Sequence, residues 1–358
     1  MIPLAKPLIG PAERAAVDRV LASGHLAQGP EVAAFEREFS ALVAGRHCIA
    51  VNSGTSALHL ALIAAGITAG DEVVVPSFSF AATANAVRLA GGTPVFVDIE
   101  PRHFCLDPAA VEAAVTPRTA AIVPVHLYGH PAAMGRIIAL ADRYGLAVVE
   151  DACQAHAAAL HGVPVGTWGV AAAFSFFPTK NMTSGEGGMV VTADAQVART
   201  VRLLRNQGMQ RRYANEIVGF NNRMTDIHAA IGRVQLGRLP AWTAARQLNA
   251  KHLDAGLAGV DGVGPPALAD GAVHVYHQYT VRVGDRDAVA ARLADRGVET
   301  GVYYPTPLHR LPSFAVRLEL PETERACREV LSLPVHPGLS AGDVMTVVDL
   351  MTRSVRPV

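Results

Sequence analysis

The stretch AFSFFPTKNMTSGEGGMV, residues 173–190, decides the fold. An apolar run, a lysine, a glycine-rich turn and a second apolar run follow one another in it. Apolar runs of this kind are typical of strands that helices cover on both faces. Lys180 lies between Phe177 and Met182, where partial desolvation would lower its pKa and help the amine form an imine. The segment therefore predicts a buried sheet with a reactive amine at its edge.

Outward from this stretch, short β-branched runs alternate with helical stretches, which is typical of βα units in a mostly parallel sheet. We expect an α/β fold with a large domain over residues 1–240 and a smaller C-terminal α/β domain over residues 241–358. A long run of helix formers over 224–257 is interrupted at Pro240. In the smaller domain, HVYHQYTVRV (274–283) is predicted to be a strand and DAVAARLADRG (287–297) a helix closed by Gly297. The predicted strands of the large sheet are Ile49–Asn52, Glu72–Pro76, Pro94–Ile99, Ala120–Val125, Ala147–Glu150, Ala171–Phe176 and Gly188–Thr192.

Composition favours small-molecule partners. Lys and Arg number 31 and so do Asp and Glu, so no net field attracts nucleic acid or an anionic membrane. The sequence contains no continuous apolar stretch of about 20 residues. We expect a soluble, cytoplasmic protein without a disulfide framework or a metal site.

A phosphate-binding turn is predicted in NSGTSALHLAL, residues 52–62, where a strand ends and a helix begins at once. Ser53, Gly54 and Thr55 would present hydroxyl and N–H groups where the helix dipole favours an anion. Ser175 could supply another hydroxyl. An ordinary N-cap explains Ser53 equally well, because serine is preferred at that position.

The segment VVEDACQAH, residues 148–156, places acids at the carboxyl end of an apolar strand, where ligands bind in open α/β sheets. An aspartate beneath a pyridine nitrogen keeps that nitrogen protonated, as pyridoxal phosphate (PLP) chemistry requires. Asp151 fits this role, and Gln154 could hydrogen-bond the ring hydroxyl. The other interpretation is that Asp151 caps a following helix.

Together these segments resemble the DegT/StrS family of PLP-dependent aminotransferases, which have the fold of aspartate aminotransferase (fold type I). The resemblance covers nearly the whole chain. It includes IPLAKPLIG, VVVPSFSFAATANAV, PVHLYGHP, GFNNRMTDIHAAIGRVQL and YYPTPLH in addition to the segments above.

The resemblance implies roles for individual residues. Lys180 would hold PLP as a Schiff base and Asp151 would pair with the pyridinium nitrogen. Gln154 would lie near the ring hydroxyl and Phe80 would stack on the ring, although core packing also explains Phe80. Asn221 would reach the cofactor phosphate of the neighbouring subunit, so a homodimer with shared active sites is expected, although Asn221 could instead be a helix cap. The remaining phosphate ligands would be Ser53, Gly54, Thr55 and Ser175.

The reaction implied by the resemblance moves an amino group from an amino acid, expected to be L-glutamate, to the keto group of a nucleotide-linked deoxysugar. A cyclitol ketone of the scyllo-inosose type is an alternative acceptor, and a non-catalytic PLP-binding regulator is an alternative role. Relatives that replace the lysine by histidine are dehydratases, a branch that Lys180 disfavours. A nicotinamide oxidoreductase is disfavoured because no Gly-x-Gly-x-x-Gly follows the first strand. His126, His156 and His309 are further candidates for substrate contact.

Overall fold

The computed structural model describes residues 1–355. Its strands are β1 (His47–Val51), β2 (Glu72–Pro76), β3 (Thr93–Val97), β4 (Thr119–Ile122), β5 (Ala147–Asp151), β6 (Ala159–Leu160), β7 (Val163–Pro164), β8 (Ala171–Ser175), β9 (Gly188–Thr192), β10 (Met209–Arg211), β11 (Ala214–Asn215), β12 (Val263–Gly264), β13 (Ala272–Val273), β14 (Tyr279–Val283) and β15 (Val330–Leu333). All seven strands predicted for the large sheet are present, with bounds that differ by up to three residues.

Helices fill most of the connections between the strands. They are α1 (Pro11–Ser23), α2 (Pro30–Ser40), α3 (Gly54–Ala64), α4 (Ala81–Leu89), α5 (Pro108–Ala114), α6 (Met134–Tyr144), α7 (Ala195–Arg205), α8 (Asp226–Leu257), α9 (Arg286–Ala294), α10 (Pro321–Glu329) and α11 (Ala341–Val355). Within residues 1–355, no helix is both long enough and apolar enough to cross a bilayer.

The central sheet has seven strands in the order β1-β9-β8-β5-β4-β2-β3. Strand β9 runs antiparallel to both of its neighbours, and the other pairings in the sheet are parallel. The α/β, mostly parallel sheet predicted from the sequence is therefore confirmed. Because β2, β5 and β8 run in the same direction, the residues that follow them meet at one edge of the sheet.

Both faces of this sheet are buried. On one face, Ile49 and Val51 pack with helices α3 and α7, and on the other, Cys48 and Ala50 pack with α2 and the start of α8. Alternate residues of β1 thus enter two different cores. This burial on both sides explains why the strands are continuous apolar runs without polar alternation.

Helix α8 runs without a break from Asp226 to Leu257, through Pro240. The predicted interruption at Pro240 was therefore wrong. Pro240 itself is exposed, and the long helix packs against α1 and α2 over its first half and α11 over its second. Packing along its whole length offsets the single backbone hydrogen bond that a proline removes.

A second core forms around the sheet β12-β14-β15, which α9, α11 and the end of α8 cover. The predicted helix over DAVAARLADRG is present as α9, and HVYHQYTVRV is a strand only from Tyr279 onward. A domain boundary near residue 240 stays a prediction. Strand β13 also pairs with β6, so a backbone ladder joins the two parts of the chain.

Candidate active site

A cavity of about 580 Å³ opens at the carboxyl edge of the central sheet. Eight of the nine residues predicted for the site line it, namely Ser53, Gly54, Thr55, Phe80, Asp151, Gln154, Ser175 and Lys180. These residues come from distant parts of the sequence, following β1, β2, β5 and β8. Parallel strand direction brings them together, as the sheet edge rule predicts.

Lys180 lies in the turn between β8 and β9, where its N–H donates to the carbonyl of Phe177 at 2.9 Å. Its side chain is half-buried, reached by solvent through the cavity. Burial lowers the pKa of Lys180, while the charges of Cys153 and Asp151 act in the opposite direction. A lysine with a lowered pKa carries more of the neutral amine, which is the nucleophilic form.

Asp151, the last residue of β5, is buried and fully hydrogen-bonded. The hydroxyl of Thr83 donates to its Oδ2 at 2.8 Å, and the backbone N–H of Cys153 donates to Oδ1 at 3.2 Å. The hydroxyl of Ser79 lies 2.9 Å from that of Thr83. Both donors hold the carboxylate in one orientation at the edge of the cavity.

The turn before α3 packs directly against the end of β8. Ser53 caps the helix, accepting from the N–H of Ser56 at 3.1 Å, so the N-cap interpretation is confirmed for its side chain. A Cβ on Gly54 would lie 2.7 Å from the Cβ of Ser175. One on Gly188 would lie 2.3 Å from the carbonyl oxygen of Ser53. Glycine is required here because the backbones approach so closely, which brings hydroxyls and a helix N-terminus to one point.

Gln154 is fixed by two hydrogen bonds. Its Oε1 accepts from the backbone N–H of Tyr128 at 2.8 Å, and its Nε2 donates to the hydroxyl of Tyr304 at 2.9 Å. Burial raises the pKa of Tyr304, which keeps this phenol neutral. A polar contact thus links β5 to the segment YYPTPLH across the cavity.

Phe80 is the N-cap residue before α4 and lines the cavity with 59% of its surface exposed, so it is not a core residue. Its ring lies 6.1 Å from that of Tyr304. Asn221 is the ninth predicted residue and does not line the cavity. It is exposed and forms a bridge with Asn206 outside the helix, so it does not cap α8, which Thr225 does.

The three candidate histidines do not line the cavity. His126 is buried against Glu150, with 3.0 Å between Nε2 and Oε2, and its Nδ1 accepts from the N–H of Ala132. The Nδ1 of His309 lies 2.7 Å from the hydroxyl of Ser77. His156 packs against two phenylalanine rings, and burial lowers its pKa to about 3. All three are buried outside the lining of the cavity.

Sequence reasoning missed the histidine that does line the cavity. His277 and Gln278 lie immediately before β14, in a segment that the apolar pattern assigned to a strand. Burial lowers the pKa of His277 well below its usual value, with Lys180 and Arg246 adding to the effect. Local pattern holds no signal for this placement. The N–H of Gln278 donates to the carbonyl of Tyr128, and this hydrogen bond holds residues 277–278 beside the cavity.

The residues present fit PLP. An amine, a carboxylate, an exposed aromatic face and a hydroxyl-rich helix N-terminus line one cavity. These are the groups that the aldehyde, the pyridine nitrogen, the ring and the phosphate of PLP would need. Fold and site together define a PLP-dependent enzyme of fold type I.

Comparison with known proteins gives the family. The model of the DegT/DnrJ/EryC1/StrS aminotransferase family matches residues 7–352, so the chain belongs to that family and is a PLP-dependent aminotransferase. It is 45% identical over 340 residues to a dTDP-3-amino-3,4,6-trideoxy-alpha-D-glucose transaminase of Streptomyces venezuelae, covering 94% of this chain and 90% of that protein.

Two solved structures agree with this assignment. The fold is similar to that of DesV of S. venezuelae, with a TM-score of 0.94 and 44% identity, covering 97% of this chain and 95% of the other. It is also similar to a putative sugar aminotransferase, Spr1654 of Streptococcus pneumoniae, in its PLP form, with a TM-score of 0.93 and 27% identity over 99% and 98% of the two chains. The expectations of family, cofactor and enzyme class are confirmed.

Proposed function

We propose that this aminotransferase moves an amino group from L-glutamate to the keto group of a nucleotide-linked deoxysugar, in amino-sugar biosynthesis. The observation that carries the proposal is the cavity of about 580 Å³ in which Lys180 and Asp151 face aromatic side chains. Cavities of this size hold ligands larger than an amino acid. The S. venezuelae relative, named as a transaminase of a dTDP-linked sugar, supports the acceptor class.

Each residue of the site would act through a group already in position. PLP, when bound, supplies the electron sink for charge that develops on the carbon losing its proton. Asp151 would keep the ring nitrogen protonated, and Thr83 orients that carboxylate through its 2.8 Å hydrogen bond. Lys180 Nζ would take the proton from the α-carbon of the amino acid, because its lowered pKa leaves a neutral amine available.

Recognition of the acceptor would rest on the aromatic wall. Phe80 and Tyr304 lie on the cavity surface 6.1 Å apart, centroid to centroid. Flat apolar rings suit the faces of a sugar ring or of a PLP ring, and the Gln154 amide supplies a hydrogen-bonding group beside them. A cyclitol ketone offers the same carbonyl and ring faces without the nucleotide, so the two acceptors differ in whether binding needs a nucleotide.

A Lys180→Ala variant tests the catalytic assignment. We expect it to fold, to lack the visible absorbance band of lysine-bound PLP, and to transfer no amino group from glutamate. Lys251→Ala is the matched control, because Lys251 is an exposed lysine on α8 that does not line the cavity. Turnover by the Lys180 variant at the control rate would refute the role of Lys180.

A panel of ketones tests the acceptor class. Each ketone is added to the protein after glutamate has removed the visible absorbance band of lysine-bound PLP. We expect the band to return with a dTDP- or UDP-linked keto-sugar and not with the free keto-sugar or with scyllo-inosose. Recovery with scyllo-inosose alone would favour the cyclitol alternative. A band that glutamate and other amino acids never alter would instead favour a regulatory role.

We further propose a homodimer in which Asn221 completes the site of the partner subunit. The hairpin β10–β11 and the residues after it expose large apolar side chains, with Tyr213 at 82% and Val218 at 90% exposed. Such side chains are costly to leave in water and are typical of an interface. They lead directly into Asn221, which is exposed and away from its own subunit's cavity.

Subunit complementation tests this arrangement. Lys180→Ala and Asn221→Ala homodimers should both be impaired, whereas a mixed dimer should recover one complete site if Asn221 acts across the interface. Mixed dimers no more active than the separate variants would contradict the proposal, as would a monomer by light scattering. Asn215→Ala, in the same hairpin, is the control.

A further inference from the structure

A second, much smaller cavity shares Thr179 and Lys180 with the active-site cavity. Its volume is about 20 Å³, and its other walls come from residues 5–8, from α8 and from Pro337. A buried water needs roughly 10–15 Å³ measured in this way. The cavity therefore has room for one particle the size of a water molecule or a monatomic ion.

The lining of this cavity is strongly positive. It includes Lys6, Lys180 and Arg246 and no aspartate or glutamate. None of the three forms a salt bridge within 4.0 Å in residues 1–355. Two other arginines of the same helix behave differently, since Arg233 pairs with Glu38 and Arg238 with Glu13. Among the three arginines of α8, Arg246 is therefore the one without a carboxylate partner within residues 1–355.

Arg246 is the most confined of these cations, with only 6% of its surface exposed. Its Nη1 donates to the carbonyl of Tyr276 at 3.1 Å, while its Nε has no hydrogen-bond partner among residues 1–355. Burial lowers the pKa of Arg246 to about 10, which leaves the guanidinium charged at neutral pH. Buried charges in proteins are normally paired, because removing an ion from water is costly.

We propose that this cavity binds a small inorganic anion of halide size, with Arg246 and Lys6 as its cationic groups and Lys180 as a neighbouring residue of the lining. A single water is the competing occupant. Asn181 also lines the cavity and its Oδ1 accepts no hydrogen bond, so a water would serve this atom and an anion would not. One neutral acceptor is outweighed by the buried charge of Arg246, which has no acidic partner among residues 1–355, because charge interactions strengthen where water is excluded.

The anion would be coupled to the catalytic lysine. A negative charge beside Lys180 favours its ammonium form and disfavours the neutral amine that forms an imine. The other charged or titratable groups that act on Lys180 are Asp151 and Cys153, which raise its pKa, and the neutral rings of His156 and His277. Halide should therefore raise the pH at which the Lys180–PLP linkage loses its proton. At a given pH it should also lower the fraction of Lys180 that is the reactive neutral amine.

Sodium bromide is the probe. Crystals of the PLP-bound protein soaked in it should show an anomalous peak in this cavity, and Tm should rise by roughly 2 °C for each tenfold increase in halide above its dissociation constant. Sodium gluconate at equal ionic strength is the control for screening. A cavity with only water density, or equal Tm values in the two salts, would overturn the proposal.

Variants locate the effect. Arg246→Met should abolish the halide-dependent rise in Tm, and Arg296→Met, an exposed arginine of the small domain, should retain it. Lys6 is exposed at the cavity mouth, so Lys6→Met tests the site even if Arg246→Met does not fold. We expect Lys6→Met to weaken halide binding by about two- to fivefold, the effect of one exposed charge. Unchanged halide affinity in Lys6→Met would show that Lys6 is not part of the site. A halide-dependent rise in Tm that persists in Arg246→Met would refute the proposed site.

The coupling to Lys180 has its own readout. The pH midpoint of the visible PLP band should move upward with bromide and stay constant with gluconate. A bromide peak without any shift of the midpoint would confirm the site and refute the coupling. Neither measurement depends on the acceptor sugar.

Discussion

Substitution of Gly54 by alanine tests how tightly the phosphate-binding turn is built. The new Cβ would lie 2.7 Å from the Cβ of Ser175, 3.0 Å from its Oγ and 3.1 Å from the Sγ of Cys153. Cβ atoms move only with their backbone, and the backbone of Ser175 is held by its pairing with Gly188 in the sheet. Relief therefore requires the start of α3 to move away from β8.

The expected cost follows from that geometry. Overpacking a closely packed site costs about 1–3 kcal/mol, which for a chain of this length corresponds to a fall in Tm of roughly 1–4 °C. The apoprotein's Tm, by scanning calorimetry, measures this cost. PLP affinity, titrated by absorbance, should fall as well, because displacement of α3 moves the N–H groups that would hold the phosphate.

A double variant separates the two effects. In the variant that combines Gly54→Ala with Ser175→Gly, the clashing Cβ and Oγ of Ser175 are absent. The loss of apoprotein stability in this double variant should therefore be smaller than the sum of the losses in the two single variants. PLP affinity should not recover, because the Ser175 hydroxyl is lost too. Wild-type Tm and affinity in the single Gly54→Ala variant would refute the close approach of the turn to β8.

Three further outcomes are expected. Asp151→Asn should retain PLP and lose most transaminase activity, measured as amino transfer from glutamate, and an unchanged rate would assign the electron-sink role to another group. Because burial lowers the pKa of His156 from 6.5 to about 3, the unfolded state binds the extra proton between these values. The stability of the wild type should therefore decline as pH falls through 6.5, by up to about 1.4 kcal/mol per pH unit from this group, and His156→Leu should decline less steeply in denaturant titrations. On helix α8, Gly232→Ala should lower the free energy of unfolding by about 1–3 kcal/mol, because the new Cβ would lie 2.9 Å from the ring of Phe35. Gly237→Ala should raise it by about 0.5–1 kcal/mol, because its Cβ would enter open space. Equal effects of the two substitutions would contradict the packing of Gly232 against Phe35.

The sequence alone determined the central sheet and most of the site. Continuous apolar runs predicted all seven strands. A strand that is buried on both faces is apolar at consecutive positions, and this pattern can be recognised without knowing which strands pair with it. Ser53, Asp151 and Lys180 each lie at or after the end of a predicted strand of that sheet, and parallel strands end at one edge. The family resemblance added Phe80 and Asn221, for which the local pattern favoured structural roles.

Only the tertiary structure decided the rest. His277 lines the cavity while His126, His156 and His309 do not, because a histidine's partners come from elements far away in sequence. Helix α8 continues through Pro240 because packing along its length outweighs a local helix breaker. Local sequence reports what a residue tends to do, whereas which groups face one another is determined by the packing of distant segments.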